Sequence, residues 1–221
     1  QRVSYPVLSE IQDDKMRLKY AYKKVIKVTM LVTFCCMLGL AAVAKPMILV
    51  LIGEQWLPAV PLLQILCLNM MLYPLHAINL NMLQVQGRSD LFLKLEIIKK
   101  AIAVIPLILG IFVGIYWMLW GSVITGFIAY YLNAFYSGRF LNYSIWEQIK
   151  DILPSFIVAI LMALVVFALS FINLPPFVLL LIQLLTGFLL VVILCELTKL
   201  DAYIEIKNIL LSFINKIRHE K

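Results

Sequence analysis

The sequence predicts an all-α protein: a polytopic bundle of six transmembrane helices with interfacial helices at its edges. Three observations predict it. Hydrophobic residues make up 63% of the 221 residues and charged residues 14%, against roughly 45–50% and about 25% in soluble domains. The mean hydropathy of +0.98 implies more apolar surface than one soluble core of this length can bury. The apolar residues also lie in runs of the length, about 20 residues, needed to cross a hydrocarbon core of about 30 Å.

The first span is predicted from Val25 to Ala44, closing at Lys45-Pro46, where proline removes a backbone donor and lysine snorkels to the interface. Met47 to Ile52 is a short apolar tail, and Trp56 suits an interfacial belt. A second span runs from about Leu57 to Gln84 and carries Pro58, Pro61 and Pro74, before the polar turn Gly87-Arg88-Ser89-Asp90. The charge-free stretch from Ala101 to Gly138 would be ~57 Å long as one helix, too long for one crossing. It is therefore divided near Gly114, with Trp117 and Trp120 at the far interface. The third helix is expected to start near Phe92, with Lys94, Glu96, Lys99 and Lys100 in its first turns and Glu96 spaced to pair with Lys100. A second charge-free stretch, Ile152 to Cys195, is divided by Asn173-Leu174-Pro175-Pro176 into a fifth span (152–172) and a sixth (177–197). From Ala202 to Ile217 an apolar stripe of Ile206, Ile209, Leu210, Phe213, Ile214 and Ile217 faces Lys207, Asn208, Asn215 and Lys216. That pattern predicts a helix lying on the membrane or packed on a partner.

Segment by segment, the expected organisation is a cytoplasmic interfacial stretch at 1–24 and four spans at 25–136. A cytoplasmic loop at 137–151, a terminal hairpin at 152–197 and an amphipathic tail at 198–221 follow. With both ends of the chain inside, every one of the 19 basic residues except Lys45 falls on the cytoplasmic side, which is the positive-inside pattern. The net charge of +7 is thus read as topology and attraction to anionic lipid headgroups, not as a nucleic-acid surface.

Polar side chains at membrane depth mark a pathway or a helix contact. The second span is richest in them, with Gln64, Asn69, Tyr73, His76, Asn79, Asn81 and Gln84. Asn69, Tyr73, His76 and Gln84 share one helical face about 80° wide. The stripe either lines a hydrated cavity or hydrogen-bonds neighbouring helices. His76 alone is a candidate proton carrier or a satisfied structural residue. Arg88, Glu96 and Lys99 are candidates for contact with a headgroup or a gate, or for interfacial anchoring.

No catalytic constellation is present: His76 and His219 are the only histidines, and there is no glycine-rich phosphate cradle and no G-x-S-x-G. Cys35, Cys36, Cys67 and Cys195 lie inside apolar stretches without a C-x-x-C pair, so neither a metal nor a redox site is expected. No cofactor and no enzymatic activity are expected; transport or scaffolding fits better.

The segments Tyr5-Pro6-Val7-Leu8-Ser9-Glu10, Gly53-Glu54-Gln55-Trp56-Leu57-Pro58 and Gln86-Gly87-Arg88-Ser89-Asp90-Leu91 resemble those of a known family. It comprises the polysaccharide and lipopolysaccharide O-unit flippases of the multidrug/oligosaccharidyl-lipid/polysaccharide exporter superfamily. The resemblance covers the C-terminal half of such a protein, spans nine to fourteen of fourteen, and so a partial flippase-type fold. It implies a bacterial inner-membrane transporter with two lobes around a central cavity, moving undecaprenyl-pyrophosphate-linked oligosaccharide outward by alternating access. Such transport feeds lipopolysaccharide, capsule or exopolysaccharide biosynthesis. The implied partners are the bilayer, the lipid-linked oligosaccharide and an N-terminal lobe of the same protein. On that reading the 221 residues alone are not expected to flip a lipid-linked sugar. The competing readings are a drug exporter of the same superfamily, a membrane enzyme of polysaccharide assembly and a non-transporting scaffold.

Overall fold

The structure, a computed structural model, describes residues 13–219, with side chains to residue 212. The Tyr5–Glu10 motif and the side chains of Phe213, Ile214 and Ile217 lie outside the described residues. Among the described residues there are only helices and the turns between them.

Helix α1 spans Lys15–Leu51, capped by the Asp14 carboxylate, which accepts from the Met16 and Arg17 amides. Two predicted boundaries are corrected here. The helix begins at Lys15 rather than Val25, and it runs through Pro46 instead of closing there. Proline costs a helix one hydrogen bond, whereas ending the helix there would leave its last backbone carbonyls unpaired. Continuing is the cheaper solution. Gly53, at φ 95°, then turns the chain in a backbone region open to glycine.

The second span is not one regular helix. A 3-10 turn over Glu54–Ala59 leads into α2, Val60–Met70, and after a break at Met71-Leu72 the chain continues as α3, Tyr73–Val85. Pro61 and Pro74 sit in the first turns of α2 and α3, where a missing N–H costs nothing. α4 spans Ser89–Phe112, starting earlier than Phe92. The turn at Gly114, φ 118°, separates it from α5, Ile115–Leu141, as expected.

Asn142 ends α5 in the left-handed conformation. Ser144 opens α6, Ile145–Ala168, with a reciprocal capping box to Glu147. A 3-10 turn at Leu169–Phe171 precedes α7, Pro176–Thr198, and Lys199 in the left-handed conformation precedes α8, Asp201–His219.

α1, the α2–α3 segment, α5, α6 and α7 are long and apolar enough to cross a membrane. α4 has comparable length, 24 residues, but carries Lys94, Glu96, Lys99 and Lys100 in its first half; it packs on α5, where the sequence predicts the third of six spans. α1 lies along α6 and also touches α2, α3, α7 and α8. Its buried residues Leu18, Tyr22, Ile26, Met30 and Phe34 repeat every fourth position, forming a stripe that meets Leu75, Ile78 and Met82 of α3 and Ile152 and Ala159 of α6. The outward faces are apolar, for example Ile111 and Phe112 on α4 and Leu185 and Phe188 on α7, as lipid contact requires.

Candidate functional site

Polar side chains inside the bundle fall into two groups. The first is a buried hydrogen-bond cluster joining four helices. Asn79 of α3 accepts at Oδ1 from Tyr22 Oη (2.8 Å), Ser137 Oγ (2.5 Å) and Gln148 Nε2 (3.1 Å). Its own amide donates to the Leu75 carbonyl (2.8 Å) and to Gln148 Oε1 (3.2 Å). All four side chains are fully buried, and the arrangement is the helix-to-helix glue expected of polar groups in spans.

The second group lies around α2, α3, α4 and α5. His76 Nδ1 is 3.4 Å from Asn133 Nδ2, and its ring meets Tyr130 edge-on at 6.4 Å. Tyr130 Oη and Asn133 Oδ1 are buried without a partner among the described residues; such atoms ordinarily bond to water or another polar molecule. Elsewhere, Asn69, Lys99, Ser122, Thr125 and Gly126, with Ile102, Ala103, Pro106 and Ala129, line a cavity of about 260 Å³ between α2, α4 and α5. The hydroxyls of Ser122 and Thr125 donate to backbone carbonyls of their own helix, Met118 and Ser122 respectively. Their oxygens keep acceptor capacity toward the cavity. A methyl group on Gly126 would stand 3.2 Å from Asn69 Oδ1, so glycine keeps that space open.

The predicted stripe is only partly assembled. Asn69 faces the cavity and His76 faces Asn133, but the break at Met71-Leu72 interrupts the common helical face. Tyr73 is 65% exposed, and Gln84 sits half-buried two turns further along α3. Glu96 pairs with Lys99 one turn on, rather than with Lys100. Lys99 keeps only 16% of its side chain accessible, so this charge reaches into the bundle. Arg88 instead makes a two-pronged ion pair with Asp90 (2.8 and 2.9 Å) and covers the Phe140 ring, which makes it a turn residue. Tyr130, Asn133, Ser122 and Thr125 were not singled out from sequence, since they are scattered along α5 among aromatic residues. No group of three or more metal-ligating side chains occurs among the described residues.

At the end expected to be cytoplasmic, α1 lysines meet acidic side chains of α6. Tyr143 donates to Asp151 Oδ2 at 2.7 Å. Burial, and after it the bond to Asp151, pushes its phenol far above the ordinary range, so it remains a donor.

A family profile described as "Polysaccharide biosynthesis protein" matches residues 1–61. Residues of the chain are 45% identical over 67 positions to an uncharacterized membrane protein in the cps region of Klebsiella pneumoniae, covering 30% of this chain and 14% of that protein. Identity to the lipopolysaccharide biosynthesis protein WzxC of Escherichia coli is 28% over 109 residues, 49% of this chain and 22% of that protein. The teichuronic acid biosynthesis protein TuaB of Bacillus subtilis is 31% identical over 90 residues, 41% of this chain and 19% of that protein. The matched stretches thus span less than a quarter of each relative's length. No solved structure matches the chain. The chain is thus a multi-pass membrane protein whose first 61 residues match a polysaccharide-biosynthesis family and which is similar in part to proteins of lipopolysaccharide and teichuronic acid biosynthesis.

Proposed function

We propose that the chain forms part of a flippase carrying undecaprenyl-pyrophosphate-linked oligosaccharide across the bacterial inner membrane, with both chain ends on the cytoplasmic side. In this reading it transports and does not catalyse. The observation that carries the reading is the polar cavity of Asn69, Lys99, Ser122 and Thr125 within apolar spans. The Asn69 amide, the remaining lone pairs of Ser122 and Thr125 and the Lys99 ammonium are groups that hydrogen-bond sugar hydroxyls. His76, Asn133 and Tyr130 form a second polar contact, between α3 and α5. The other wall belongs to the N-terminal lobe that the family resemblance implies.

Binding of a fluorescent lipid-linked oligosaccharide to the chain in nanodiscs tests the proposal. Binding should exceed that of undecaprenyl phosphate without sugar. Asn69→Leu and Lys99→Met should each weaken it about ten-fold, the cost of leaving a sugar hydroxyl unpaired. Equal binding of the sugar-free lipid would overturn the assignment.

A further inference from the structure

The basic face of α1 meets two carboxylate pairs at helical spacing, one on α6 and one on α8. Lys19 lies 3.6 Å from Glu147, and Lys23 and Lys27 lie 3.5 and 3.3 Å from Asp151. Lys24 lies 2.5 Å from Glu205, and Lys27 also reaches Asp201 at 3.0 Å. Glu147 and Asp151, and likewise Asp201 and Glu205, are four residues apart, so each pair occupies one helix face. Lys27 bridges the two sets. Four lysines and four carboxylates balance in charge, and none of these lysines is left without an acid.

The apolar contact of α8 is limited to its first turns. Ala202 is buried against Leu31, Val158 and Cys195, with Tyr203 and Ile206 partly buried on the same cluster. Lys207 and Tyr203 reach back to Glu196 at the end of α7 (2.7 and 3.3 Å). Beyond them Ile209, Leu210 and Leu211 are exposed. The apolar contact is short and confined to the first turns, so the charges add to it in setting where the helix sits.

We propose that the first turns of α8 act as an electrostatic strap, through which Asp201 and Glu205 lash the segment after the last span to the lysine face of α1. Because Asp151 binds the same face, the strap joins α1, the terminal hairpin and α8 into one body at the end where the lysines lie. α4 and α5 stay outside that body, reaching it mainly through α2 and α3. The strap is independent of what the protein carries. Solvent-exposed ion pairs are weak singly and screened by salt, while a shared network holds better. The strap is therefore closed at low ionic strength and loosens as salt rises.

Hydrogen–deuterium exchange of the full chain in zwitterionic nanodiscs tests this, read over residues 201–212. Exchange there should rise about five-fold in Glu205→Lys, in Lys24→Glu, and in the unaltered chain at roughly 1 M salt, with α2 and α3 unchanged. The swap Lys24→Glu/Glu205→Lys should return exchange toward the original level. Glu205→Gln, which removes a pair without reversing its charge, should give a smaller rise. Exchange indifferent to salt and to Glu205→Gln would overturn the strap, as would a swap that exchanges as fast as either single reversal.

Discussion

Asn79 has a single side-chain oxygen, and donors from three other helices converge on it: Tyr22 of α1, Ser137 of α5 and Gln148 of α6. Each bond alone is modest, about 0.6 kcal/mol on average between spans. Removing the shared acceptor is worse than losing one bond, because an unpaired buried donor costs about 1–3 kcal/mol. Asn79→Leu should therefore destabilise the bundle by about 2–4 kcal/mol, seen as a lower melting temperature in detergent. Tyr73→Phe, at an exposed position, should leave it unchanged. The sequence marks Asn79 as polar at depth but does not name its partners. Helical periodicity assigns residues to faces within one helix, while Tyr22 sits in a lysine-rich opening and Gln148 in a predicted loop. The same limit hid Tyr130 and Asn133, which acquire meaning only when α5 is packed against His76.

At the scale of the element, boundaries set by backbone chemistry were readable and those set by the solvent were not. Gly114 and the Asn173–Pro176 segment interrupt apolar runs that no single crossing accommodates, and both are breaks in the structure. Pro46 reads as an end because proline usually is one in water; beside the membrane the helix runs through it to Leu51 and keeps its remaining bonds. The α5–α6 junction shows how little freedom a tight turn leaves. A methyl group on Gly138 would collide with the Tyr143 carbonyl oxygen, whereas Ser144 contributes one cap to the next helix. Gly138→Ala should thus lower stability more than Ser144→Ala, whose cost is about 1 kcal/mol. Thermal unfolding of the two variants side by side checks the order.

For the molecule as a whole, six spans and a positive-inside partition fix an expected orientation. Lys45 is exposed near the far end of α1, and Arg139 is exposed at the last turn of α5. In sealed cells, a membrane-impermeant maleimide should label Lys45→Cys from outside and spare Arg139→Cys until the membrane is opened, in a background without native cysteines. The reverse pattern would invert the topology. How the bundle comes together is foreshadowed by one side chain of the last span. Gln183 spends both amide hydrogens on α6 and the turn after it, one on the Val166 carbonyl and one on Ser170 Oγ, each at 2.9 Å. These two bonds need nothing from α1, so α6 and α7 can close on each other before α1 joins them. During synthesis the pair can wait in the lipid as a finished hairpin and then dock edge-on, Phe156 against Phe34, onto a helix made much earlier.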